Sequence, residues 1–394
     1  MKKLLLILII PIFGFAQGVQ FIKGTVKEAF EAAKQQNKPL LLEIYSPTCH
    51  VCQSFMPIFE SREAGSLVNP LFVAYRIDVN STEFAAFEKV QKIFVPSLPL
   101  LMFYDANGKF IHHGVLGENQ GVPEIRNAAF NALDSGKRSS IYKGAFAKGN
   151  REENFLIEYA LLNRIQRDTT QNIATTAALY NSFNKSELGS RMSWLILYKL
   201  VLDVDNGFFK HWIKNPNAAS DFSGGTQRDV LENIIFSSLY SNRGAKYSAE
   251  KIGQVKGYLS DLGRTMTEIN RMTLLPEAKA LMKEGKTLRA TQNVETYLKT
   301  TIPTASELSF LVGHFNNYSS TTDYASFAQK LLEKGVALNK GHKDLADLHY
   351  ESARLNLKIS KKEAARKASK MALSEAIKGK VVLAKYEKLW EELK

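Results

Sequence analysis

Cys49 and Cys52 are the only cysteines in a chain of 394 residues, and they stand three apart as Cys-His-Val-Cys. Thiols at that spacing can pair with each other, exchange with a disulfide on another molecule, or supply half of a tetrahedral zinc site. A zinc site needs two further ligands, and only histidines are on offer. His112 and His113 form an adjacent pair, while His211, His314, His342 and His349 are scattered over the second half. Neighbours on a strand point to opposite faces, so His112 and His113 read as surface residues. No second C-x-x-C and no H-x-x-x-H exists, so no metal and no cofactor is expected. Without a third cysteine the pair cannot staple the fold to another segment, which leaves redox exchange as its chemistry.

The roles follow from where a helix starts. A cysteine at the first turn faces unpaired backbone N–H groups and the positive end of the helix dipole, both of which favour the thiolate. Cys49 is therefore the expected nucleophile. Cys52, one turn inward, is the expected resolving thiol. His50, if partly protonated, would favour the Cys49 thiolate further and stabilise the reduced form, tuning the couple in the oxidising direction.

The context for these thiols is set at the N-terminus. Lys2 and Lys3 precede an apolar run from Leu4 to Phe15, closed by Ala16 after Gly14-Phe15. That is the pattern of an export signal cleaved after Ala16. The run is short of the ~20 residues that span a bilayer as a helix. The mature chain is expected to be exported, periplasmic or secreted, with membrane contact at most peripheral.

Elements that would position the dithiol alternate between helix and strand. Thr25 to Gln36 has an N-cap threonine, Glu28 at the capping-box position and apolar residues at helical spacing. Strands are expected at 40–45, 72–79 and 100–104, the last closed by the turn sequence Asp105-Ala106-Asn107-Gly108 and paired back through 110–115. Helical patterns fill 49–61, 82–92 and 123–133. The dithiol falls where the first strand turns into a helix.

Over roughly Val19 to Asp134 the chain resembles the thioredoxin superfamily. Beside Cys49-x-x-Cys52, Pro57 follows the first cysteine by eight positions, where the family kinks its active-site helix. Glu43 precedes it by six, the place of the family's buried carboxylate, and Ser97-Leu98-Pro99 resembles the cis-proline loop. The resemblance implies an α/β fold with a central mixed sheet flanked by helices. It also implies that Glu43 accepts the proton of Cys52 through water, that Pro99 places backbone groups for an extended substrate, and that Arg76 stands where many members put a lysine facing the acid. Departures are Thr48 in place of the tryptophan before the first cysteine, His-Val in place of Gly-Pro, and Leu100 after the proline. They separate the chain from a general cytosolic reductase and bring it nearer the exported thioredoxin-like proteins.

The expected domains are a signal peptide at 1–16, a thioredoxin-like domain at 17–137 and an all-α domain at 138–394. From residue 17 to 137 there are 11 basic and 12 acidic side chains, and from 138 onward 39 and 27. The basicity thus belongs to the second region. Its period is helical nearly throughout, with breaks at 184–188, 215–225, 301–304 and 339–341. Segments 325–338 and 363–376 carry small and apolar residues at matching positions, Leu331 with Ala368 and Gly335 with Ala372, on either side of a helix at 344–357. That resembles a degenerate tetratricopeptide-type array. Trp194, Tyr198, Phe208, Phe209 and Trp212 read as helix-packing residues. No arginine-rich helix or interleaved aromatic platform appears, so nucleic acid is not an expected partner. Lys358, Lys361, Lys362, Arg366 and Lys367 read as a solvated face or as a steering surface for an acidic partner or an anionic membrane.

Three functions fit. The first is an envelope thiol–disulfide oxidoreductase, of the protein-disulfide reductase or isomerase type, that exchanges disulfides with exported clients while the helical domain docks a client or partner. A membrane electron donor is a candidate partner. The second is a helical-repeat binding or scaffold protein whose thioredoxin-like domain is a platform or redox sensor. A peroxide-handling thiol enzyme is third, disfavoured by the lack of a further resolving cysteine. The residues leave the direction of electron flow open.

Overall fold

The computed structural model describes residues 17–117, 121–216, 218–219, 222 and 226–394. The expected signal at 1–16 lies outside the described residues. By internal contacts the chain divides into two compact units, Met1–Leu202 with Asn206–Phe208, and Asp203–Asp205 with Phe209–Lys394.

The first unit is organised by a four-stranded mixed sheet in the order β2-β1-β3-β4, with β1 Leu40–Tyr45, β2 Val73–Asp78, β3 Leu100–Tyr104 and β4 Phe110–Val115. β1 runs parallel to β2 and antiparallel to β3, and β3 pairs antiparallel with β4. A central strand covered on both faces is largely apolar, and Leu40, Leu41, Leu42 and Ile44 are fully buried, with the ionisable Glu43 buried among them. The β3–β4 turn is closed by Asp105, whose carboxylate accepts the N–H groups of Asn107 and Lys109 at 2.9 Å each. Gly108 supplies the left-handed residue of that turn at φ 80°.

The helices of this sheet are α1 Val26–Gln36, α2 His50–Phe59, α3 Arg62–Val68, α4 Thr82–Gln91 and α5 Val122–Leu133. Thr25 and Glu28 form the expected capping box on α1. The helix expected over 49–61 stops at Phe59. Ser61 caps a separate α3 by accepting the Ala64 N–H at 3.2 Å. Gly65 of α3 is a point of close approach: a Cβ there would lie 2.0 Å from the Gln17 carbonyl oxygen.

The unit does not end where the sheet does. After α5 the elements are helical, and the compact unit continues through α6 Tyr142–Ala147, α7 Glu153–Ile165, α8 Thr169–Ser182 and α9 Arg191–Leu200. This continuation overturns the expectation for the histidine pair. His112 and His113 are buried, at 3% and 1% exposure. The chain beyond the sheet returns over this edge strand. The Ser139 N–H donates to His112 Nδ1 at 3.0 Å, and the His113 N–H donates to Ser139 Oγ at 3.1 Å. An edge strand covered in this way keeps few donors open to solvent. Of the five aromatics assigned to packing, Trp194, Phe208, Phe209 and Trp212 are fully buried, whereas Tyr198 is 41% exposed and lies flat on Trp194.

The second unit is helical: α11 Gln227–Leu239, α12 Ala249–Asp261, α13 Met266–Lys283, α14 Thr287–Leu298, α15 Ala305–Tyr318, α16 Ala325–Leu338, α17 His342–Lys358, α18 Lys362–Lys378 and α19 Ala384–Leu393, preceded by α10 Gly207–Ile213 at the passage between the units. Small residues set the spacing, as expected. A Cβ on Gly335 of α16 would meet Leu348 of α17 at 2.5 Å, and Ala368 and Ala372 of α18 are buried. Ion pairs tie these elements together, Lys256 of α12 with Glu277 of α13 at 2.5 Å and Arg264, in the turn between α12 and α13, with Glu232 of α11 at 2.7 Å. Lys358, Lys361, Lys362, Arg366 and Lys367 are exposed. No helix among the described residues is long and apolar enough to cross a membrane.

Candidate functional site

The site is the junction of β1 and α2. β1 ends at Tyr45, and Ser46-Pro47-Thr48 turns the chain so that Cys49 becomes the N-cap of α2. The Cys49 N–H donates to the Ser46 carbonyl at 3.1 Å. Cys49 Sγ then accepts the Cys52 N–H at 3.2 Å, in the place of a capping oxygen. A sulfur that accepts from the first turn of a helix gains most when it carries charge. Both cysteines are free thiols, Cys49 partly exposed and Cys52 buried at 1%. His50 is the first residue of α2 and is exposed. Pro57 lies inside the same helix.

Opposite the dithiol stands the expected proline loop. Leu98–Pro99 is a cis peptide, and the Cys49 thiol donates to the Leu98 carbonyl at 3.8 Å. The loop therefore presents backbone within reach of the more accessible sulfur.

Beneath the pair, Glu43 is fully buried in β1 and is the register partner of Arg76 in β2. Arg76 Nη2 donates to Glu43 Oε1 at 3.4 Å and lies 3.2 Å from Oε2, which accepts no hydrogen bond among the described residues. Burial pushes the Glu43 carboxyl up to about 7, against the lowering effect of the guanidinium. Burial also pushes the Cys52 thiol up to about 12; its contact with Cys49 adds to the rise, a hydrogen bond from the Ser46 backbone opposes it, and the Glu43 charge raises it further. Cys52 thus needs a base, and the nearby group that titrates near neutrality is Glu43. Arg76 is more than a surface cation, since its guanidinium also lies 4.3 Å from the centre of the Tyr45 ring and 5.1 Å from that of Phe21.

The fold thus brings Cys49, Cys52, Glu43, Arg76 and the loop at Pro99 into one cluster, with His50 on its exposed rim. Ser46 was not among the expected residues. Its hydroxyl, buried with the residue, lies 3.0 Å from that of Thr48 and accepts from Asn80 Nδ2 at 3.3 Å. The Ser-Pro turn after β1 was the available signal. Among the described residues, no group of three or more His, Cys, Asp or Glu side chains could hold a metal ion.

A four-stranded mixed sheet with a dithiol at the first strand–helix junction and a cis-proline facing it defines a thioredoxin-like domain. Residues 21–106 match the family model described as thioredoxin-like, and the region that follows is all-helical. Three solved structures are similar to this domain. One is a proposed disulphide isomerase from Bacteroides thetaiotaomicron, 21% identical, covering 30% of this chain and 96% of that one, with a TM-score of 0.27. Another is a DsbH oxidoreductase, 22% identical, covering 33% and 95%, with a TM-score of 0.26. The third is a disulphide isomerase from Xylella fastidiosa Temecula1, 19% identical, covering 29% and 98%, with a TM-score of 0.25. No curated protein matches the chain.

Proposed function

We propose that the protein is a thiol–disulfide oxidoreductase of the cell envelope, acting on exported proteins through Cys49 and Cys52. The observation that carries this reading is the asymmetry of the pair. One sulfur caps a helix, is partly exposed and lies 3.8 Å from the loop carbonyl of Leu98; the other is buried one turn inward above a carboxyl that titrates near 7.

In the reducing direction the Cys49 thiolate attacks one sulfur of a client disulfide. A mixed disulfide forms, and the client's second sulfur leaves as a thiolate that takes up a proton. Glu43, ionised, then removes the Cys52 proton, and the Cys52 sulfur attacks Cys49. The client's first sulfur is released as a thiol, the client gains two electrons, and the protein is left with a Cys49–Cys52 disulfide. A membrane electron donor would restore the dithiol. Run backward, the same steps oxidise a client. His50 on the rim favours the oxidising direction when it carries charge. The helical region beyond the sheet serves as the docking arm for client or partner.

Trapping tests the reading. With Cys52→Ser in the full chain, the mixed disulfide cannot be resolved, so thiol-linked clients should accumulate in cells and vanish on reduction. No such species, with partner binding unaffected by loss of either cysteine, would turn the protein into a scaffold with a passive dithiol. A redox titration against glutathione then gives direction: a potential below roughly −250 mV means reductase work and one above roughly −150 mV means oxidase work.

A further inference from the structure

The segment that leads into the cis-proline loop is held from outside the sheet. It runs from the end of α4 to Leu98, whose carbonyl faces Cys49. The Phe94 N–H donates to the Ile165 carbonyl at the end of α7, at 2.8 Å. Arg167, in the turn between α7 and α8, donates from Nε to the Ile93 carbonyl at 2.8 Å and from Nη2 to Glu88 at 2.8 Å. The Arg164 guanidinium lies 5.2 Å from the centre of the Phe94 ring. Lys199 of α9 donates from Nζ to Ser97 Oγ at 3.2 Å, one residue before Leu98. Every one of these holds comes from α7, α9 or the turn between α7 and α8, all beyond residue 137 and within the first compact unit.

A loop of this kind has little to fix it by itself. Among the backbone hydrogen bonds outside regular elements, residues 93–98 donate one to α4, from Ile93 to Glu88 at 3.3 Å, and the Phe94 bond to Ile165. The remaining constraint comes from side chains. The backbone of Arg167 bears the mark of this role, for its φ is +55°, a left-handed conformation that glycine adopts far more readily than arginine. An arginine there is explained by what its side chain reaches.

We propose that Arg167 and Lys199 are positioning residues that hold segment 93–98 against Cys49, so that an extended, disulfide-bearing peptide segment can dock on the loop. The binding half of the exchange site is then built by α7–α9 as well as by the thioredoxin-like domain. This rests on the exchange reading above and adds to it the residues outside the sheet that hold the peptide-docking loop in place. Displacing the loop weakens docking without touching the sulfurs, so it acts on binding more than on the chemical step.

The test compares the full-length wild type with Lys199→Met, Lys199→Arg and Arg167→Gly, using as substrate a synthetic octapeptide dimer joined by one disulfide, with reduced glutathione returning Cys49 and Cys52 to the dithiol after each turnover. In the two disabling variants KM should rise roughly three- to tenfold, the factor carried by one lost hydrogen bond, with kcat within about twofold. Lys199→Arg keeps the donor and should restore KM. Arg167→Gly removes the side chain while relieving the left-handed backbone, so its KM is not confounded by a strained turn. Amide hydrogen exchange of residues 93–98 gives a readout free of activity, with protection falling in the same two variants. Unchanged protection, or a loss of kcat at constant KM, overturns the positioning role. Wild type that leaves the peptide disulfide untouched while protection falls as expected overturns the exchange reading alone.

Discussion

Glu43 and Arg76 face each other across the parallel β1–β2 pair, the carboxyl fully buried and the guanidinium 3.2 Å away. Burial and ion pairing act on Glu43 in opposite directions, and burial wins, leaving the carboxyl near 7 rather than near 4.5. A charge-paired acid would normally sit below its usual value and stay ionised. This one changes state near neutral pH, beneath a thiol that must lose a proton.

The first consequence is kinetic. Glu43→Gln keeps the shape and removes the base, so attack of Cys52 on a Cys49 mixed disulfide should slow by roughly 100-fold, the lower end for loss of a general base. Stopped-flow release of a chromogenic thiol from Cys49 measures it. The wild-type rate should rise with pH through an inflection near 7 that the variant lacks. An inflection of equal size in both would assign it to another group.

The second is thermodynamic. The unfolded carboxyl ionises near 4.5 and the folded one near 7, so the folded state holds the extra proton and stability falls as pH rises through that window. The fall approaches roughly 3 kcal/mol by pH 8. Urea unfolding at pH 4.5, 6 and 8 should show it in wild type and a flatter profile in Glu43→Gln. Arg76→Met should cost about 1 kcal/mol more at pH 8 than at pH 5, because without the guanidinium the buried Glu43 carboxyl keeps its proton at pH 8 instead of ionising.

Much of this cluster was legible because its signals are local. Strands 40–45 and 100–104 came out at the expected residues, since each is an apolar run bounded by a proline or a turn, and 110–115 followed as the return of the hairpin after Asp105-Ala106-Asn107-Gly108. Cys49 stood out by its spacing to Cys52, and Glu43 and Pro99 were placed by the resemblance to the thioredoxin superfamily, Glu43 six positions before Cys49 and Pro99 just ahead of the strand at 100–104. The features that were not legible depend on the chain returning to itself. His112 and His113 alternate as strand neighbours do, but nothing local says that Ser139 will cover them. Lys199 and Ser97 are 102 residues apart, and neither carries a pattern that points at the other. The break between α2 and α3 was missed for a different reason: helical spacing continues across Ser61, which hides its role as a cap.

Burial separates the two thiols chemically. Cys49 is partly exposed, and Cys52 is at 1% exposure with its thiol pushed up to about 12. At pH 8, iodoacetamide should therefore add one group to the folded, reduced protein and a second only in denaturant. Intact-mass spectrometry counts the additions, and peptide mapping should place the first on Cys49. Two additions at similar rates under native conditions would mean that Cys52 is far more accessible than its place in α2 implies.

His113 offers the clearest case of a polar group held against its own chemistry. Among the described residues neither ring nitrogen has a hydrogen-bond partner, although Nε2 lies 3.6 Å from Glu158 Oε2 of α7. Burial and the neighbouring His112 push it down to about 3, and burial together with the Arg138 charge pushes His112 down to about 4. Both are neutral in the fold, whereas the unfolded chain takes up protons from about 6.5 downward, so the pair withdraws stability as pH falls from 6.5 toward 3. Replacing His113 by leucine removes an unsatisfied polar ring from the interior and should be neutral or stabilising by about 1 kcal/mol at pH 7. Its larger effect belongs at low pH, where the acid-unfolding midpoint followed by far-ultraviolet circular dichroism should move downward by several tenths of a pH unit or more. If that midpoint stays put, acid unfolding of this unit is driven by other groups and the buried ring is a bystander.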